Sequence, residues 1–164
     1  MSQTLVLGVG NTLLTDEGAG VHAMHYLRNL SEPSSEIEFL DGGTLSFTLA
    51  DAIACANNLI IFDAAQLDSS AGTVRVFEGE ELDDFLLAGA RSVHEVGFAD
   101  LMDIARLQDC LPANRALIGI QPDNIGWGEL PGESVAAAIP RAAAIAAELI
   151  QQWRQQSPPE ENWQ

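Results

Sequence analysis

The run Leu5-Val6-Leu7-Gly8-Val9 carries no polar side chain on either face of the strand it would form. Such a strand cannot lie on a water-facing sheet, so layers must cover it from both sides. Two further runs, Leu59-Ile60-Ile61-Phe62 and Ala116-Leu117-Ile118-Gly119-Ile120, share the pattern. Strands are expected over 4–9, 37–40, 58–62, 73–78 and 115–121, the fourth alternating like an edge strand that could run antiparallel. Helical spacing is expected over 17–29, 45–56, 80–87, 96–107 and 133–156. That alternation defines an α/β chain, a mostly parallel sheet with helices on both faces. In the first helix Ala19, Val21, Met24, Leu27 and Leu30 recur at helical spacing, with Asp16 placed as its N-cap. Phe47, Leu49 and Ile53 are expected inward on the second, and Pro140 is expected to kink or divide the last. The 164 residues suit one domain over 1–156, followed by a Pro-containing tail at 157–164 expected to be disordered.

Charge narrows the partners. Seven Arg and no Lys stand against twenty-four acids, giving a net charge of −17. A surface that acidic repels nucleic acid and anionic lipid, and attracts cations or a basic protein segment. Cys55 and Cys110 have no metal-ligand spacing and are expected to be small buried thiols. No basic n-region precedes the first apolar run, so the expected location is the cytoplasm.

The chemistry concentrates where strands end. After the first strand comes Gly8-Val9-Gly10-Asn11-Thr12-Leu13-Leu14-Thr15-Asp16-Glu17. Leu13 stands where a dinucleotide fingerprint needs its third glycine, and two acids at a helix start would repel phosphate, so no nucleotide is expected. No G-x-S-x-G elbow and no Cys in a strand-to-helix turn supports a conventional nucleophile. Asp41-Gly42-Gly43-Thr44 ends the second strand with a carboxylate followed by flexible backbone. Asp63 ends the third, and His94 lies in the loop before the fourth helix.

Strands one and three flank the switch point of a doubly wound sheet, so Glu17 and Asp63 open into one crevice. With His94 they form an open set of two carboxylates and one imidazole, suited to nickel or zinc. Each residue also has a plainer reading: Glu17 as a helix-dipole acid, Asp63 as a turn acid, His94 as a loop histidine. His22 and His25, one turn apart on the first helix, read as surface and packing residues.

Beyond spacing, Leu7-Gly8-Val9-Gly10-Asn11-Thr12-Leu13-Leu14-Thr15-Asp16-Glu17-Gly18-Ala19-Gly20-Val21 closely resembles the opening signature of the nickel–iron hydrogenase maturation endopeptidases. The likeness continues through Leu40-Asp41-Gly42-Gly43-Thr44, Ile60-Ile61-Phe62-Asp63-Ala64, Ser92-Val93-His94-Glu95-Val96-Gly97 and Gly119-Ile120-Gln121-Pro122, in the family's order and spacing. The resemblance implies a three-layer, phosphorylase/hydrolase-like sandwich around a five-stranded sheet. It implies removal of the C-terminal extension from the nickel-loaded precursor of a hydrogenase large subunit. The implied metal contacts are Glu17, Asp63 and His94, and the implied substrate-recognition segment is Asp41, Gly42, Gly43 and Thr44. Nickel is then supplied by the substrate. The attacking group is not identified; Glu17, Asp63 and Asp41 are the catalytic candidates, and Asp16 keeps its capping place with a second role behind the metal contacts. A non-catalytic nickel-checking chaperone and a metal-dependent hydrolase of small substrates are the alternatives.

Overall fold

The doubly apolar runs become the inner strands of one sheet: β1 (Thr4–Val9), β3 (Asn58–Ala64) and β5 (Asn114–Ile120). Parallel β2 (Ile37–Gly43) and antiparallel β4 (Val74–Glu78) form the edges, giving the order β2-β1-β3-β5-β4. The structure is a computed structural model describing residues 3–44, 47–88 and 95–156. His94 and the 157–164 tail therefore lie outside the described residues.

Two apolar layers sandwich the sheet. On one face Val6, Ile60, Phe62 and Ile118 pack against α1 (Ala19–Leu30) and α5 (Glu133–Gln156). On the other, Leu5, Leu7, Leu59 and Ile61 meet α2 (Ala50–Cys55), α3 (Glu80–Leu87) and α4 (Glu95–Leu107). Strand residues alternate between the two cores because side-chain direction reverses at each step. The three-layer sandwich, the five strands and the antiparallel edge agree with the sequence reading. Among the described residues, no helix is long and apolar enough to cross a membrane.

Several local expectations need correction. The first helix does not start at Glu17: a 3-10 turn, Thr15–Gly18, precedes α1. β2 continues through Asp41, Gly42 and Gly43: Asp41 pairs with Gly8 and Gly43 with Val9, and Gly42 is the extra residue at a shift of register. The segment around Phe47 splits into a 3-10 turn (Phe47–Leu49) and the short α2, and that change of phase turns Phe47 out to solvent. Cys55 is exposed and Cys110 half-buried, each near the end of an amphipathic stretch. Pro140 does not divide α5: it lies on the helix's exposed side, where water can satisfy the carbonyl it leaves unbonded.

The helix and the sheet approach closely at Gly20, the second residue of α1. A Cβ there would stand 2.3 Å from the carbonyl oxygens of both Phe62 and Val9. The two backbones cannot give way as a flexible side chain could. Gly20→Ala is expected to destabilise the fold by about 3 kcal/mol through overpacking, read as a lower midpoint in denaturant.

Candidate active site at the carboxyl edge of β1 and β3

The chain leaves β1, passes to β2 on one side, then returns to β3 on the other, so the switch point falls between β1 and β3. Both sequence-chosen carboxylates lie there. Glu17 sits half-buried in the 3-10 turn, which packs against β3. Asp63 is the penultimate residue of β3 and only 1% exposed. Gly10 brings the turn down onto the strand ends: with φ of +137°, its missing Cβ would lie 1.9 Å from the carbonyl oxygen of Glu17. Only glycine permits that contact, so Gly10 sets the height of Glu17 above the sheet. The turn that carries Glu17 therefore rests on the strand that ends with Asp63 and Ala64, and the carboxylate oxygens of Asp63 are buried beneath it.

Asp41 stands apart on edge strand β2, exposed, its Oδ1 accepting a hydrogen bond from the backbone N–H of Gly43 at 2.8 Å. The carbonyl of Gly43 in turn accepts from the N–H of Gly10 at 2.9 Å, tying this segment to the β1 loop. Gly42 packs over Leu7, and Thr44 follows in an exposed turn. From α1, His25 faces the same edge. Burial, then the Arg28 charge, hold its imidazole below its ordinary value, while the Asp41 carboxylate pulls it upward and His22 adds to the lowering. Among the described residues no three His, Cys, Asp or Glu side chains gather as a metal site; His94, the third expected ligand, is outside them.

Asp16 does something the sequence did not disclose. It makes no capping bond to α1, whose N-cap position is Gly18. Fully buried, its carboxylate accepts from the loop between β5 and α5: from Asp123 N and Asn124 N through Oδ2, both at 2.9 Å, and from Gly132 N through Oδ1 at 2.7 Å. Gly132 immediately precedes α5, so the negative charge also meets the favourable end of that helix's dipole. The cap expectation was therefore wrong in its helix and in its range.

Thr15 completes the weld. Its φ of +44° is unusual for a β-branched residue, and bonds to the same loop hold it there. Its hydroxyl donates to the carbonyl of Asn124 and accepts from Gly126 N, while its own N–H donates to the carbonyl of Gly128. Neither Thr15 nor its 122–132 partners are legible from residue types, because most of the groups involved are backbone amides and carbonyls. The turn bearing Glu17 and the loop over the crevice form one rigid piece.

Comparison with known proteins gives this arrangement a class. A family model described as "Hydrogenase maturation protease" (HycI) matches residues 21–149. The chain is 35% identical over 150 residues to the hydrogenase expression/formation protein HupD of Rhizobium leguminosarum bv. viciae, covering 91% of this chain and 74% of that one. It is 36% identical over 122 residues to the hydrogenase 2 maturation protease of Escherichia coli K12, covering 74% of each. Among solved structures, the hydrogenase maturating endopeptidase HybD from E. coli superposes with a TM-score of 0.86 at 30% identity, over 92% of this chain and 93% of that one. HybD from Thermococcus kodakarensis gives 0.77 at 31% identity, over 90% and 98%. The chain is a peptide-bond hydrolase on an α/β sandwich. It belongs to the hydrogenase maturation proteases.

Proposed function

We propose that this endopeptidase removes the C-terminal extension of a nickel–iron hydrogenase large-subunit precursor, and that it recognises the nickel already seated in that precursor. What supports the reading is that the turn bearing Glu17 packs against β3, which carries Asp63, beside the β1/β3 switch point of a chain in this family. Glu17, Asp63 and His94 complete the coordination of the substrate's nickel. Asp41 and the Gly42-Gly43-Thr44 segment read the polypeptide beside it. Glu17, Asp63 and Asp41 are the groups available to handle a proton. A cytoplasmic site of action belongs to the same proposal.

Two oxygen ligands and one nitrogen, with no thiolate, make a weak site for borderline nickel when empty. The metal therefore arrives on the substrate, and a precursor without it lacks the bridge between the two proteins. The checkpoint is a difference in affinity between loaded and unloaded precursor.

Calorimetric titration tests this. The chain is expected to bind nickel-loaded precursor at least about tenfold more tightly than either Ni²⁺ alone or nickel-free precursor, a coupling of about 1.4 kcal/mol or more. Equal affinity for loaded and unloaded precursor would remove nickel from the recognition step.

A further inference from the structure

Large apolar side chains stand in solvent on the piece that Asp16 and Thr15 weld together. Leu13 is 53% exposed, Ile125 56%, Trp127 86% and Leu130 77%. Elsewhere Leu30, Leu87 and Leu107 are exposed at the last residue of their helices, as single surface leucines commonly are. The four on the welded piece belong together. Gly128 N, next to Trp127, donates to the carbonyl of Leu13 at 2.9 Å, and Leu14 bridges to Gly128. Ile125 precedes Gly126, whose N–H donates to Thr15, and Leu130 lies two residues before the Asp16-bound Gly132.

A hydrophobic group whose backbone is pinned by hydrogen bonds to the buried Asp16 carboxylate and to Thr15, and that borders Glu17, has the character of a binding surface. Its surroundings select the partner's charge. Residues 1–27 and 116–140 contain no Lys or Arg, while Asp16, Glu17, Asp123, Glu129 and Glu133 lie within them.

We propose that Leu13, Ile125, Trp127 and Leu130 form the docking surface for a peptide segment of the precursor in which aliphatic or aromatic side chains are flanked by Lys or Arg. This rests on the precursor being the substrate. The apolar side chains of that segment cover Trp127 and Leu130, and its cations meet the acidic rim at Asp123 and Glu129. The surface is continuous with the turn that carries Glu17, so a segment seated on it lies next to the crevice. Docking and cleavage are thus separable: this surface sets how tightly the precursor is held.

Steady-state cleavage of nickel-loaded precursor by wild type, Trp127→Ser, Trp127→Phe and Glu129→Arg tests the assignment. Trp127→Ser is expected to raise KM at least about tenfold with kcat within about twofold. Trp127→Phe is expected to recover most of the loss. Glu129→Arg is expected to raise KM and flatten its dependence on salt, because a rim attraction has become a repulsion. Unfolding midpoints matching wild type establish that the exposed substitutions leave the fold intact. An unchanged KM for Trp127→Ser overturns the proposal. So does a wild-type dimer that Trp127→Ser dissociates without altering KM, which would make the surface a contact between two copies. If wild type fails to shorten the precursor, the proposed function fails. Retention of the precursor by wild type and its loss in Trp127→Ser then still decides the docking surface.

Discussion

Glu17→Gln and Asp63→Asn are each expected to slow precursor cleavage at least about a hundredfold while leaving the fold in place. Both substitutions keep the side chain's size and remove only its charge, so the change falls on what the carboxylate does in the crevice. If each carboxylate completes the coordination of substrate nickel, its loss removes a first contact, and even groups lying behind metal ligands are commonly worth about 10–100-fold. His94→Ala is expected to follow them. The effects should not add, because three residues acting on one ion work as a unit. Circular dichroism and unfolding midpoints near wild type separate this outcome from misfolding. Wild-type cleavage rates in any one of the three would withdraw that residue from the site.

The second large effect falls on stability. Asp16→Ala strands three backbone N–H groups in the loop over the crevice, at 123, 124 and 132. Hydrogen bonds to a buried charged acceptor contribute about 1.5–3 kcal/mol each, but a loop near the surface recovers part of that from water. The net loss is expected to be about 3 kcal/mol, lowering Tm by about 6–12 °C for a domain of this size. Asp16→Asn should fall between this variant and wild type, since its amide oxygen still accepts on one side while its NH2 group faces a donor on the other. Amide exchange over 123–132 is expected to quicken in both. A simple N-cap of α1 would leave that loop protected and cost about 1 kcal/mol, so the exchange pattern decides between the two roles.

These two expectations differ in how much the sequence disclosed. The placement of Glu17 and Asp63 was legible because its signals are local and topological: an acid after a doubly apolar strand, and a fold class that brings the ends of strands one and three together. Asp41 was legible as a strand-end acid, although β2 runs on through Gly43 where a loop was expected. The role of Asp16 was not legible. Its partners are 107–116 residues away and are backbone amides, which look the same whatever side chain they carry. The nearer signal, an acid before a helical run, matched the capping pattern and pointed to the wrong helix. Phe47 failed for a related reason: a continuous 3.6-residue period was read through a segment that changes from a 3-10 turn to an α-helix within three residues. The covered sheet and its inner strands were clear because burial on both faces leaves no alternative placement for Leu59-Ile60-Ile61-Phe62.

The rigid weld also bears on function. Glu17 follows Asp16 directly and rests on Gly10, so its height and direction depend on Asp16, Thr15 and the 122–132 loop together. A ligand displaced by about 1 Å can lose as much activity as one that is missing. Asp16→Asn is therefore expected to reduce cleavage as well as stability, acting through the position of Glu17.

Nickel-dependent cleavage at a single position changes the mass of the intact precursor, which mass spectrometry reads. Nickel-loaded precursor, incubated with this chain, is expected to lose one C-terminal fragment, while nickel-free precursor keeps its full mass under the same conditions. Cleavage of both forms at equal rates would show that nickel does not gate the reaction, and an unchanged mass for the nickel-loaded form would show that this precursor is not its substrate.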